Sequence, residues 1–191
     1  PENDLRAFWI EPGDAGVSRT PVASAGLRCI GLARLTLSDV RLGADRLLVP
    51  ADGLSHAQRY LASRRLTLAA TVVGFARGLL ERGIARLKER VRYGRPLTDL
   101  GNVQGALGRL QAQVWAAQAL SRTALLRAAA GRADLLWDAP GSAAKHAAVE
   151  AALAVGRTLQ RLLGAEGYAG EIGFERQLRD LEGLVAGAGS Q

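Results

Sequence analysis

From position 54 onward, apolar side chains in this chain return every third or fourth residue. Leu61, Leu66, Leu68, Val72, Val73, Phe75, Leu79, Leu80, Ile84, Leu87 and Val91 trace one stripe. That period predicts a helix from about Leu54 to Arg92 with the stripe buried. Arg90 and Arg92 fall in its expected last turn, where positive charge suits the helix dipole, and Gly94 and Pro96 follow as stop signals. A second helix is expected from about Leu100 to Ala130, carrying Val103, Leu107, Leu110, Val114, Leu120, Leu125 and Leu126 on its apolar side. Gly131 and the turn-forming Trp137-Asp-Ala-Pro-Gly141 separate it from a third, about Ser142 to Leu163, whose mostly alanine stripe permits close helix approach. A short fourth helix covers about Ile172 to Val185. Four amphipathic helices bury one another best as an antiparallel bundle.

The first 50 residues have a different rhythm. Leu5 to Ile10 reads as a strand, and Glu11-Pro-Gly-Asp-Ala-Gly16 is dense in turn formers. Ala33 to Leu42 alternates apolar and polar residues at period two until the phase slips at Val40. About three strands cannot close a stable sheet alone. The expected fold is therefore mainly α, with an antiparallel four-helix bundle over residues 51–191. A few β-strands of an incomplete β domain precede it over residues 1–50.

Composition narrows the class. With 191 residues, 48% hydrophobic and 5% aromatic, the chain fits an Ala/Leu-packed helical protein. No apolar run is long enough to span a bilayer, so no membrane partner is expected. Pro1 opens no charged and apolar leader, so export is not expected. Cys29, the single cysteine, can form neither an internal disulfide nor a cysteine metal cluster, and a cytoplasmic location fits. The net charge of +7 raises the question of a polyphosphate or nucleic-acid partner. Yet Arg82, Arg86 and Arg90 recur at helical spacing beside Glu81 and Glu89, as on a solvated face. With no aromatic-basic surface, no nucleic-acid partner is expected; salt-dependent binding to random DNA would revive one.

The helical pattern breaks at Gly164-Ala165-Glu166-Gly167-Tyr168. Such a break can cap a helix and turn the chain, or bring backbone amides close to a ligand. Spacing alone favours the first reading. Two motifs add to it. Gly164 to Tyr168, then Glu171, then Phe174-Glu-Arg-Gln-Leu-Arg-Asp180 resemble the GGxGY…E…vERxxRD signature of flavin-dependent acyl-CoA dehydrogenases. Upstream, Glu89-Arg-Val-Arg-Tyr-Gly-Arg-Pro-Leu97 resembles that family's ERxxFGxPL. Residues 1–50 are similar to the end of its middle β domain. The rest of that domain, and the helical domain before it, are expected to lie outside this sequence or on another chain.

The resemblance implies an FAD-dependent flavoprotein that oxidises an acyl-CoA thioester to the 2,3-enoyl form, with a flavoprotein or oxygen as electron acceptor. It implies that Arg90 reaches the FAD pyrophosphate of a neighbouring subunit, a task suited to a guanidinium fork; helix-end electrostatics is the alternative. Tyr93 stands for the family's phenylalanine. Gly164 and Ala165 occupy the paired-glycine positions, with Ala165 a departure, and their backbone would approach the adenine and diphosphate. Arg161 stands where the family carries a flavin-binding glutamine, Gly101 where it carries another, and Gln104 is kept. Ser190 replaces the threonine of a Gly-Thr pair, and a homo- or hetero-oligomer, dimer or tetramer, is implied.

The family's proton-abstracting glutamate has no counterpart. Its usual position, eight residues after Asp180, is Ala188, and its alternative, one residue before Arg65, is Arg64. Neither side chain abstracts a proton at neutral pH. Glu182 and Glu166 are poorly placed substitutes. Asp180, Glu171 and Arg179 are expected in helix-helix ion pairs, and His56 and His146 stand apart from any catalytic partner. No catalytic residue is identified. Two readings follow: an acyl-CoA dehydrogenase or subunit of one, or a non-catalytic homologue that completes a neighbour's FAD site.

Overall fold

The computed structural model of the chain describes residues 5–132 and 139–189. Four short strands come first: β1 (Ala7–Phe8), β2 (Val17–Pro21), β3 (Ala33–Leu37) and β4 (Leu47–Val49). Then follow α1 (Gly53–Glu89), a small hairpin of β5 (Val91–Arg92) and β6 (Arg95–Pro96), α2 (Gly101–Ala129) and α3 (Ala139–Leu163). The one-turn α4 (Ala165–Tyr168) and α5 (Phe174–Gly183) complete the order. The architecture is the expected one: mainly α, an antiparallel bundle of α1, α2, α3 and α5 behind a few strands. Central α3 packs against the other three, and Leu79, Leu87, Val114, Val155, Leu159 and Leu181 are sealed from solvent between them. Small residues let the helices approach. A Cβ on Gly83 of α1 would lie 2.5 Å from both methyls of Leu159, and one on Gly156 would lie 3.0 Å from Leu181.

Several boundaries differ from the pattern. Helix α1 stops at Glu89, so Arg90 is its extended cap and Arg92 lies in a strand, not in a last helical turn. The cause is the hairpin: Tyr93 (φ 55°) and Gly94 (φ 74°) both enter the left-handed region, as a tight two-residue β-turn requires. Val91 consequently leaves the apolar stripe and is exposed. On α2, Leu126 is exposed as well, because it lies two 100° steps beyond buried Ala124. Helix α3 begins at Ala139, with Pro140 in its first turn, where a missing N–H costs nothing. Trp137 and Asp138 of the expected turn lie outside the described residues. Ile172 sits in a 3-10 turn, and α5 starts only after Gly173 (φ 69°). The first strand contracts to Ala7–Phe8 and pairs with β4, while β3 pairs with β2, which the pattern does not announce. Leu35 and Leu37 are exposed, since among the described residues the β2–β3 ribbon is a two-stranded sheet with no further strand paired to it.

Asp180 does not form the expected helix-helix ion pair. Its Oδ1 accepts a 2.5 Å hydrogen bond from the backbone N–H of Leu27, which holds φ 51° at the turn before β3. Arg179 pairs within α5 to Glu175 and donates from Nη1 to the Ala25 carbonyl at 2.6 Å. Gly26 packs so tightly on α5 that a Cβ there would lie 2.1 Å from the Arg179 carbonyl oxygen. Residues 25–27 are thus fastened to the last helix. Asp180→Ala removes a charge-assisted bond to a partly buried N–H and should cost about 1–2 kcal/mol, read as a lower urea midpoint at unchanged slope.

Candidate functional site

The chain's candidate residues gather at two ends of the bundle. At one end, α1 delivers Arg86 and Arg90 beside the break after α3. Arg90 donates from Nη1 to the Leu163 carbonyl, one of the unsatisfied oxygens at the end of α3. Its Nε lies 3.5 Å from Glu166 Oε2. Arg86 pairs with the other oxygen of Glu166 and, at 2.8 Å, with Glu89. These acids raise the Arg86 pKa above its ordinary value, the Glu166 hydrogen bond most of all. The two motifs, more than 70 residues apart in sequence, therefore meet here through Arg90, Leu163 and Glu166.

Gly164 makes the junction possible. Its φ of 62° and ψ of −137° suit only a residue without Cβ, and the chain restarts immediately as α4. Gly164 and Ala165 are exposed, and nothing lies within 4 Å of where a Gly164 Cβ would stand. Arg161, whose Nε donates to the Arg157 carbonyl at 3.2 Å, is exposed on the same terminal turns of α3. Tyr93, at the tip of the β5–β6 hairpin after Arg90, is 90% exposed. Gly101 and Gln104 are exposed in the first turn of α2.

The opposite end holds position 188. Along α1, 25 residues separate Arg65 from Arg90, roughly 38 Å at 1.5 Å per residue. Ala188 lies in the turn after α5 with φ 53°, and its carbonyl accepts from Arg65 Nε at 3.0 Å. Arg64, the neighbouring alternative, is exposed. Ser190 lies outside the described residues. Neither substitute acid comes to this end free. Glu182 accepts from Arg157 Nη2 at 2.7 Å and Nε at 3.1 Å across α3 and α5, and Glu166 is at the far end in its own ion pairs. Glu171, His56 and His146 are exposed.

Sequence reasoning missed three residues at position 188: Arg65, Ser142 and Lys145. Lys145 is 3% exposed on α3, and its Nζ donates to the Val185 and Gly189 carbonyls at 2.7 and 2.8 Å. Burial, and secondarily the Arg65 charge, push its pKa below the usual lysine value. The signal was present: Lys145 interrupts an otherwise alanine and valine stripe. Among the described residues, no three His, Cys, Asp or Glu side chains gather as a metal site, and no helix is long and apolar enough to cross a membrane.

Comparison with known proteins bears on this arrangement. The family model described as acyl-CoA dehydrogenase, C-terminal domain, matches residues 51–191. A cyclohex-1-ene-1-carbonyl-CoA dehydrogenase of Geobacter metallireducens is 29% identical over 184 residues, 92% of this chain and 46% of that protein. A glutaryl-CoA dehydrogenase of Desulfococcus multivorans is 31% identical over 178 residues, 92% of this chain and 45% of that protein. Among solved structures, a glutaryl-CoA dehydrogenase from Mycobacterium smegmatis in complex with FADH2 superimposes with a TM-score of 0.87 at 25% identity. The match covers 97% of this chain and 47% of that one. The chain thus spans about half the length of the relatives it matches.

Proposed function

Because the chain belongs to the acyl-CoA dehydrogenase family, we propose that it works in an FAD-dependent assembly that oxidises the α,β-bond of an acyl-CoA thioester. The observation that carries this reading is the meeting of Arg90 with the Gly164 break. Arg86 and Arg90 are matched there by Glu166 and Glu89, and exposed Arg161 adds positive charge beside an exposed glycine and an exposed tyrosine. Such a donor set fits a dinucleotide's phosphates. Ala165 is exposed, so its methyl does not fill the break. Arg90, Tyr93, Arg161, Gly164 and Ala165 would hold the FAD, with Ser190 contributing from the chain's end. FAD, when bound, supplies the two-electron acceptor.

The distance between the two ends favours an oligomer. One chain does not bring Arg90 and position 188 into one pocket, so each subunit would serve two sites, one shared with a neighbour. A dimer or tetramer of like or unlike chains meets that need, with an electron-accepting flavoprotein as a further partner. The ion pairs of Glu166 and Glu182 favour the narrower reading. With alanine at 188 and both substitute acids engaged, this chain completes a neighbour's FAD site and does not itself abstract the substrate proton.

The visible absorbance spectrum tests both levels, taken on the protein purified alone and co-purified with partners, before and after a panel of acyl-CoAs. Flavin present only with a partner subunit supports the accessory role. Flavin bound to the protein alone and bleached by a thioester overturns that role and retains the dehydrogenase. A colourless protein under every condition overturns the FAD assembly itself.

A further inference from the structure

At position 188 the hydrogen-bond donors outnumber the acceptors. Lys145 has three N–H groups, and the two carbonyls of Val185 and Gly189 take two. Arg65 has five, of which Nε serves the Ala188 carbonyl, while Nη1 makes only a long 3.5 Å approach to Ser142 Oγ. Arg65 Nη2 stands beside Gly189, 3.2 Å from where a Cβ would be. Every acceptor in the cluster is a neutral carbonyl or hydroxyl.

The missing component is a negative charge. The other partly buried arginines, Arg46, Arg90 and Arg179, each lie within 4.0 Å of a carboxylate. Among the described residues, no carboxylate stands that close to Arg65 or Lys145. Among the described residues, two neighbouring cations, one of them almost fully buried, are therefore held without a counter-ion, an arrangement that proteins otherwise avoid. The lowered pKa of Lys145, caused by burial and by Arg65, reports the same excess. At 188 itself the chain offers only a methyl group.

We infer that Arg65, Ser142 and Lys145 form a binding site for a small free carboxylate of about acetate size. The unused edge of the Arg65 guanidinium takes the carboxylate as a fork takes its oxygens, the Ser142 hydroxyl donates a further bond, and Lys145 supplies buried positive charge. Arg65 and Ser142 are only partly buried, which leaves the entry side open. The site is built from this chain's own residues at the end that the proposed assembly turns to a shared pocket, and its test needs neither flavin nor thioester.

The test titrates the full chain with sodium acetate and, separately, sodium chloride at matched ionic strength and pH, reading the Tm and the heat of binding. Acetate should raise the Tm saturably, by mass action on the folded state, with an affinity at least tenfold tighter than chloride. Arg65→Met should weaken acetate at least tenfold. Lys145→Met also strips a donor from two carbonyls and can prevent folding, so Ala188→Glu is the second variant. It carries its own carboxylate into the site, and its Tm should no longer respond to acetate. Equal responses of the unaltered chain to acetate and chloride overturn the inference. So does an acetate response that survives both Arg65→Met and Ala188→Glu.

Discussion

Leu159→Ala should lower the unfolding free energy by about 2–5 kcal/mol, the usual range for truncating a fully buried leucine whose surroundings cannot collapse. Leu159 is 0% exposed on α3, and its two methyls fill the notch left by Gly83 on α1. The notch makes the prediction sharper than a generic core truncation. Gly83→Ala alone drives a methyl to within 2.5 Å of Leu159 and should cost about 1–3 kcal/mol through overpacking. In the Leu159→Ala background the same methyl enters the void instead, and alanine gains about 1 kcal/mol of helix propensity over glycine. The two substitutions should therefore be far from additive, with a coupling above about 1 kcal/mol in the rescuing direction. Urea unfolding of the four proteins of the cycle measures it. Additivity within about 0.5 kcal/mol would mean that Leu159 and Gly83 do not share one packing site.

Under the proposed function, Arg90→Met should reduce flavin retention in the assembled protein about 10- to 100-fold, as expected for losing a charged hydrogen-bonding partner worth about 1.5–3 kcal/mol. The effect should fall on the cofactor more than on folding. Glu166 keeps Arg86 as its partner, and what the fully buried Leu163 carbonyl loses with the Arg90 donor is read separately, as stability. Arg90→Lys should recover only part of the affinity, since an ammonium keeps the charge but not the planar fork. Flavin content by absorbance, set beside the urea midpoint, separates the two effects. Unchanged flavin content in Arg90→Met, at unchanged stability, would remove Arg90 from the flavin site and leave it as the tie between α1 and the break after α3.

The bundle was legible because one-sided apolar stripes are local, repeated and long. The α3 stripe, for example, needed no tertiary information to place Ala144, Ala148, Val155 and Leu159 inside. The end of α1 was not legible, because Tyr93 carries no sequence mark of a left-handed residue, and the two-residue turn decides where the helix stops. Asp180 was misassigned for a different reason. Its partner, the Leu27 N–H, lies 153 residues away in sequence, and no helical spacing encodes it. The motifs identified Arg90 and the glycine break separately; only the fold shows that they touch. At the other end the substitution at Ala188 could be read directly. The cations around it come from α1 and α3, and their convergence is a property of the packing of those helices.

The length of α1 carries a genetic consequence. A rod of 37 residues keeps Arg65 and Arg90 a bundle's length apart, so damage at one end is not felt at the other. If each pocket of an oligomer takes one end from each of two subunits, two defective alleles can repair each other. A subunit altered only at Arg90 and a subunit altered only around position 188 would together assemble one intact pocket. Inheritance at such a locus would show complementation between alleles, and a lineage could lose the chemistry of one end while selection preserved the other.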